Sequence, residues 1–289
     1  VGTPARRSRR ALIVMALFVA FSLGATNVSV TGMQALEREL METLQLTDAS
    51  RSGVVSNTLW ETDQFKRIIE RSVKDKELAK ALVRTPPIAM LYGWLSYFFA
   101  PFLVVLIAST RVSDELSTGS ARFALVRCGL VPWCLGKYLA QALMLIPALL
   151  LAALGAWVTA WIRLDFFDPG ASAWALLGFG FKVWIYCLFY VGLALGMSQF
   201  TRSSNGATAL CVVVMIGTTI VAGLSHWDKV RPGAWGTFWD AMVLLVPQGH
   251  RLELWWPDPM HVIPAAVMLF ALGILWLLLG HAFLRRRDW

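Results

Sequence analysis

The segment Ser109–Lys137 concentrates the side chains of this chain that could do chemistry. It holds an acidic pair, Asp114-Glu115, and a small-residue step, Ser117-Thr118-Gly119-Ser120. A short helical stretch with Arg122 and Arg127 comes next, and then Gly136-Lys137. An acidic pair on an otherwise basic segment can be read by a partner through charge complementarity. It does not make a nucleotide site. A phosphate loop needs Gly-x4-Gly-Lys-Ser/Thr, so that backbone amides cradle the phosphates and a hydroxyl reaches magnesium. The nearest approach, Gly129 to Gly136-Lys137, has six intervening residues and runs on into Tyr138. Cys128 and Cys134 are too far apart for a CxxC pair, and His250 and His261 lack the spacing of a metal site. No catalytic, cofactor or metal site is expected in this chain.

These residues hang on six apolar stretches: Ala11–Val30, Ile88–Ser109, Tyr138–Trp161, Trp174–Met197, Ala207–Leu224 and Val262–Leu284. Each is about long enough, at ~1.5 Å per residue, to cross ~30 Å of hydrocarbon as a helix. The composition agrees, at 57% hydrophobic and only 15% charged, against about 25% charged for a soluble domain. Threaded as alternating spans, the connections sort by charge. The N-terminus (Arg6, Arg7, Arg9, Arg10), the loop Thr110–Lys137, the turn Thr201–Gly206 and the tail Arg285–Trp289 hold 12 Lys/Arg against Asp114, Glu115 and Asp288. The other side holds 13 Lys/Arg against 15 Asp/Glu. Basic residues are retained in the cytoplasm, so both termini are expected there. The expected fold is all-α, a single transmembrane domain over residues 1–289 with six spans. Ser8-Arg9-Arg10 before an apolar run has the look of a twin-arginine leader, but five further spans make an uncleaved first helix the expectation. The +8 net charge sits beside apolar spans, where it meets anionic inner-leaflet lipid. No basic face or base-stacking module emerges, so nucleic acid is not an expected partner.

Two longer connections stand on the other side. Residues 31–87 balance nine acidic with nine basic residues. Leu36, Leu40 and Leu44, then Phe65, Ile69 and Val73, recur at helical spacing, which predicts an amphipathic helical insertion. Asp48–Gly53 separates its halves, and Arg84-Thr-Pro-Pro87 ends it. Residues 226–261 carry Trp227, Trp235, Trp239, Trp255 and Trp256 around a short apolar run, Ala241–Val246, that stops at Pro247. That run is too short to span, so it reads as an interfacial or re-entrant segment. Pro101, Pro147 and the glycines at 178, 180, 192 and 196 punctuate the spans and permit kinks or close helix contact. Lys182 falls inside the fourth span. It either faces the bundle interior or a water path, or its stem snorkels outward past Trp174.

The order Asp114-Glu115, Thr118-Gly119-Ser120, Ala124-Leu125-Val126-Arg127 and Gly136-Lys137 resembles the permease subunits of type-2 ABC exporters. Members of that family carry an acidic pair after the second span, a Gly-Thr-like step, a Leu-Leu-x-Arg-like segment and a Gly-Lys opening the third span. The resemblance extends to six spans, a large first outer loop and an interrupted fifth-to-sixth connection. It implies that residues 110–137 form a coupling element seated in a groove of a separate ATPase subunit, present in two copies in the family pattern. ATP and magnesium would be bound by that subunit. Asp114, Glu115, Arg122 and Arg127 would make the contact, with Arg202 in a second one, and Lys182 is the candidate for the translocation path. The implied assembly is a homodimer, or a heterodimer with a second permease, in the bacterial inner membrane. The alternative is a membrane subunit that transmits ATPase strokes to a periplasmic partner without moving substrate. Family members usually begin with an amphipathic helix before the first span. Only Val1–Arg10 stands there in this sequence, so either that helix is short or the sequence starts late.

Overall fold

The computed structural model describes residues 76–164, 167–225 and 234–286, with scattered positions between 16 and 31. Among these the secondary structure is helical. In chain order the helices are α1 (Lys76–Val83), α2 (Pro87–Ala108), α3 (Thr110–Ser117), α4 (Ser120–Cys128) and α5 (Leu130–Arg163). They continue as α6 (Pro169–Phe200), α7 (Ser204–Ser225), α8 (Ala234–Leu244) and α9 (Pro259–Arg285). Two short 3-10 turns, Pro247–His250 and Glu253–Trp255, separate α8 from α9.

Among the described residues five helices are long and apolar enough to cross a membrane: Pro87–Ser117 taken through the Ser109 turn, Leu130–Arg163, Pro169–Phe200, Ser204–Ser225 and Pro259–Arg285. They coincide with the second to sixth expected spans. The first expected span, Ala11–Val30, lies largely outside the described residues, as does the insertion up to Asp75 with both of its leucine and aromatic stripes. The helices overrun their expected limits, most of all α5, whose apolar stretch is only Tyr138–Trp161. Apolar composition marks only the hydrocarbon stretch. The backbone goes on making its i to i−4 bonds until a breaker stops it. Two helix starts are capped by aspartates. Asp168 Oδ1 accepts from the amides of Gly170 and Ala171 at 2.9 and 3.0 Å, and Asp258 Oδ1 accepts from Met260 N at 3.1 Å. Pro87 and Pro259 occupy first helical positions, where a missing N–H costs nothing.

The chain falls into two compact units. One comprises residues 1–11, 99–146 and 184–289. Its centre is the second half of α6, where every residue from Ile185 to Gln199 is buried, the pattern of a helix surrounded on all sides. Gly192 and Gly196 of α6 face Gly273, Trp276 and Gly280 of α9 so closely that a Cβ at either α6 position would run into an α9 carbonyl oxygen. Small residues four apart let two backbones touch, and dispersion replaces the hydrophobic drive that lipid cannot supply. Tyr138 Oη donates to Leu188 O at 3.2 Å and Trp184 Nε1 to Ala142 O at 2.8 Å, tying α5 to the same helix.

The other unit comprises residues 12–98 and 147–183. Val30, Ile88 and Ala160 form its buried cluster, with Leu91, Leu164 and Phe167 against it. Tyr92 Oη donates to Leu149 O at 3.0 Å, and the Phe179 ring fills the space beside Gly93. α1 presents Leu78, Ala79 and Leu82 as its buried side and ends at Val83, before Pro86-Pro87, where the sequence places the end of the insertion.

Candidate functional site

The expected loop 110–137 is two helices and the first turns of a third. α3 begins at Ser109, whose backbone is helical and whose side chain caps nothing. The cap comes from another helix: Ser198 Oγ of α6 accepts from the amides of Val112 and Ser113 at 3.1 and 2.8 Å. First-turn amides have no partner inside their own helix, so a buried hydroxyl from elsewhere fixes both the start and the direction of α3. Ser109 Oγ also lies 2.8 Å from Thr208 Oγ1 of α7.

Two glycines set the ends of α3 and α4. Gly119 (φ +71°) closes the first and Gly129 (φ +75°) the second, both in the left-handed region where other residues are strained. The sequence pattern puts the third span's start at Gly136-Lys137. In the structure the break is at Gly129, and Lys137 lies two turns inside α5.

That shift gives the acidic pair its partners. Glu115 Oε1 accepts from Lys137 Nζ at 2.7 Å, with both side chains 19% exposed. Lys137 also stands 5.0 Å over the Trp133 ring. Asp114 Oδ1 accepts a hydrogen bond from Ser204 Oγ at the start of α7. The carboxylates thus turn toward α5 and α7 instead of standing isolated on a basic face. Charge-assisted bonds of this kind, partly shielded from water, are stronger than neutral ones. α3 is therefore fastened to α5, α6 and α7 by named side chains.

α4 is the part that projects. Ala121 is buried, while Phe123 and Val126 are 79% and 89% exposed. Arg122 and Arg127 are exposed beside them. Phe123, Val126 and Arg127 are related by helical i, i+3 and i+4 spacing, so they share one face. The motif carries Val126 only as the variable position of Ala124–Arg127 and does not include Phe123. A signal for these two is present all the same: two large apolar residues three apart, flanked by Arg122 and Arg127, in a short helix between two membrane-length ones. Arg202 is exposed in the turn between α6 and α7, two residues before Ser204, so the expected second contact lies near α3 within the same unit.

Lys182 is not part of this group. It is half-buried in the first half of α6, about 20 Å along the helix from Pro169 at ~1.5 Å per residue, with its Nζ 5.5 Å over the Phe179 ring.

A second polar cluster sits at the 3-10 turn after α8. Gln248 Nε2 lies 3.1 Å from both Thr218 Oγ1 and Thr219 Oγ1 of α7, and 3.4 Å from Tyr190 Oη of α6. Tyr190 Oη is 3.2 Å from Tyr186 Oη. Thr218 is seven residues inside the end of α7 at Ser225, about 10 Å in depth. The turn lies against α7 at that level. His250, buried beside it, is held by Leu244 O at 3.1 Å and Glu253 Oε2 at 3.3 Å, which makes it a structural residue of the turn.

A family model described as ABC-2 family transporter protein matches residues 3–228, a stretch that contains α3, α4, Lys182 and all of α7. Among curated proteins none matches the chain.

Proposed function

The chain belongs to the ABC-2 family of transporter proteins and is a multi-pass membrane protein, and we propose that it is the permease subunit of an ATP-driven exporter. One observation carries the reading. An outward helix, α4, bears an exposed apolar pair and two arginines, and it is joined through α3 to three membrane-length helices by buried hydrogen bonds and an ion pair. A surface of that kind suits docking into a groove of a separate ATPase subunit, with Phe123 and Val126 as apolar anchors and Arg122 and Arg127 as a charged rim. Asp114 and Glu115 act behind it. They hold the element rigid, so that a displacement of α4 moves α5, α6 and α7 as a body. Arg202, two residues before Ser204, would make a second contact with the ATPase subunit. The chain's sequence lacks a phosphate loop, so ATP and magnesium belong to the partner.

A second permease is part of this proposal. α7 leaves Val213, Ile216 and Ile220 exposed at 66%, 53% and 55%, one apolar stripe at helical spacing. Two copies meeting along it would bury that stripe in a twofold arrangement. The orientation follows the charge asymmetry, with α4 and both termini on the cytoplasmic side of a bacterial inner membrane. The test is purification of the tagged chain from its own cells in mild detergent. An ATPase subunit that co-purifies, and hydrolyses ATP in the complex, supports the reading.

A further inference from the structure

α8 and the 3-10 turn after it are braced against each other. The backbone passes from one to the other through i to i−3 bonds: Leu245 N to Met242 O at 3.1 Å, then Val246 N to Val243 O and Gly249 N to Val246 O, both at 3.2 Å. His250 Nε2 comes back to Leu244 O at 3.1 Å. Gly249 lies so close to the helix that a Cβ there would run into Val243 O. Residues 234–250 are thus one internally bonded piece, able to shift without losing its own contacts.

A single carboxamide ties this piece to two membrane-length helices at once. Gln248 Nε2 lies 3.1 Å from Thr218 Oγ1 and from Thr219 Oγ1 on α7, and 3.4 Å from Tyr190 Oη on α6. Hydroxyls both donate and accept, so the tie holds whichever way round the amide is set. Each neutral bond of this kind contributes only about 0.5–1.5 kcal/mol, which suits a contact that is broken and remade. The second 3-10 turn is anchored differently. It packs on α9, and its Leu254 is wholly buried.

Below the tie lie two phenols in the otherwise apolar run Trp184–Met197. Tyr186 and Tyr190 are both buried, with their hydroxyls 3.2 Å apart, and Tyr190 Oη is the one that meets Gln248. Polar side chains inside a membrane-length helix are costly and are found where a path for ligand or water passes. The hydroxyls of Gln248's partners and of Tyr186 form such a polar row, and residues 234–250 cover its upper end.

We propose that residues 234–250 are a lid over Tyr190 and Tyr186, latched by Gln248 and hinged at the second 3-10 turn, and that release of the latch opens these hydroxyls to water. The lid stands on its own contacts whether or not an ATPase docks, so the inference goes beyond the permease reading and does not rest on it.

Cys187 reports the opening. It is wholly buried and shares the Tyr190 side of α6 by its i, i+3 spacing. Cys134 of α5 and Cys211 of α7 are buried as well and serve as references. The chain with its co-purifying subunits, in nanodiscs without nucleotide, is treated with a water-soluble maleimide, and mass spectrometry follows each cysteine separately. Gln248→Leu, which removes the latch, should speed modification of Cys187 about tenfold or more and leave Cys134 and Cys211 within about twofold of wild type. Thr219→Val takes away one partner of the latch and should give about threefold at Cys187 alone, which decides the matter if Gln248→Leu does not assemble. An unchanged rate at Cys187 in the variant measured overturns the lid. So does acceleration of all three cysteines together, which reports a general loosening of the helices. Failure of an ATPase to co-purify overturns the permease reading alone.

Discussion

Lys137 Nζ donates to Glu115 Oε1 at 2.7 Å across a separation of 22 residues, with both side chains mostly shielded from solvent. The contact closes the α3–α4 segment on itself, from the end of the second apolar helix to the start of the third. An acidic residue and a Gly-Lys at this spacing therefore have a mechanical meaning: they fix the base of a projecting helix.

Glu115→Gln should remove the charge and destabilise the folded protein by about 1.5–3 kcal/mol, the range for hydrogen bonds to charged groups. Lys137→Met should do the same. The swap Glu115→Lys with Lys137→Glu should recover part of the loss, which thermal unfolding of all four proteins in one detergent would show. Additive losses in the swap would mean that the two side chains do not act on each other. Reversal of Asp114 and Glu115 together to Lys sets like charge against Lys137 and should lower the melting temperature further than Glu115→Gln does, and uncouple ATP hydrolysis from transport.

Ser198→Ala should unfasten α3 from α6, because two amides, those of Val112 and Ser113, lose one acceptor. The expected destabilisation is about 1–3 kcal/mol, and ATP hydrolysis should lose its response to transported substrate. Circular dichroism melting together with hydrolysis assays measures both. Wild-type coupling in a stably folded variant would place the transmission elsewhere.

The helices were legible in the sequence because lipid-length apolar runs leave few alternatives, and the breaks at Pro86-Pro87 and Asp168 come from local chemistry. What escaped was long-range. Ser204 meets Asp114 across 90 residues and Ser198 caps α3 across 86, and no spacing rule connects such positions. The acidic pair was legible as a motif but not in its direction, since a carboxylate facing a partner and one facing its own Lys137 read alike. The α5 start is misplaced for a related reason. Gly136 stands out beside Lys137, yet the residue with positive φ is Gly129. Gln248 gave no signal of its own, being one amide in a tryptophan-rich connection.

Lys182 sits over Phe179, half-buried. Lys182→Met keeps the volume and removes the charge. If the ammonium organises a water path, substrate-stimulated hydrolysis should fall several-fold with the melting temperature within a few degrees of wild type. Wild-type activity with equal or higher stability would assign the residue to snorkelling, since only a desolvation cost has been removed.

The orientation is testable with a membrane-impermeant thiol reagent on intact cells. Cys128 is exposed and the other three cysteines are buried, so Cys128→Ser gives a quiet background. Lys76→Cys should then label from outside and Arg122→Cys should not. Labelling at 122 without labelling at 76 would invert the topology and remove α4 from the cytoplasm.

The permease reading turns on α4 docking an ATPase. Val126→Asp places a charge on its most exposed apolar position and should leave the fold intact, since that side chain packs on nothing buried. The deciding assay is quantitative affinity purification of wild type and Val126→Asp from matched membranes, with the co-purifying subunits identified and counted. Docking through α4 predicts stoichiometric ATPase with wild type and at least a tenfold loss with the variant, at unchanged yield of the chain itself. A wild-type chain that brings down no ATPase, or a variant that keeps it in full, would refute docking through this helix.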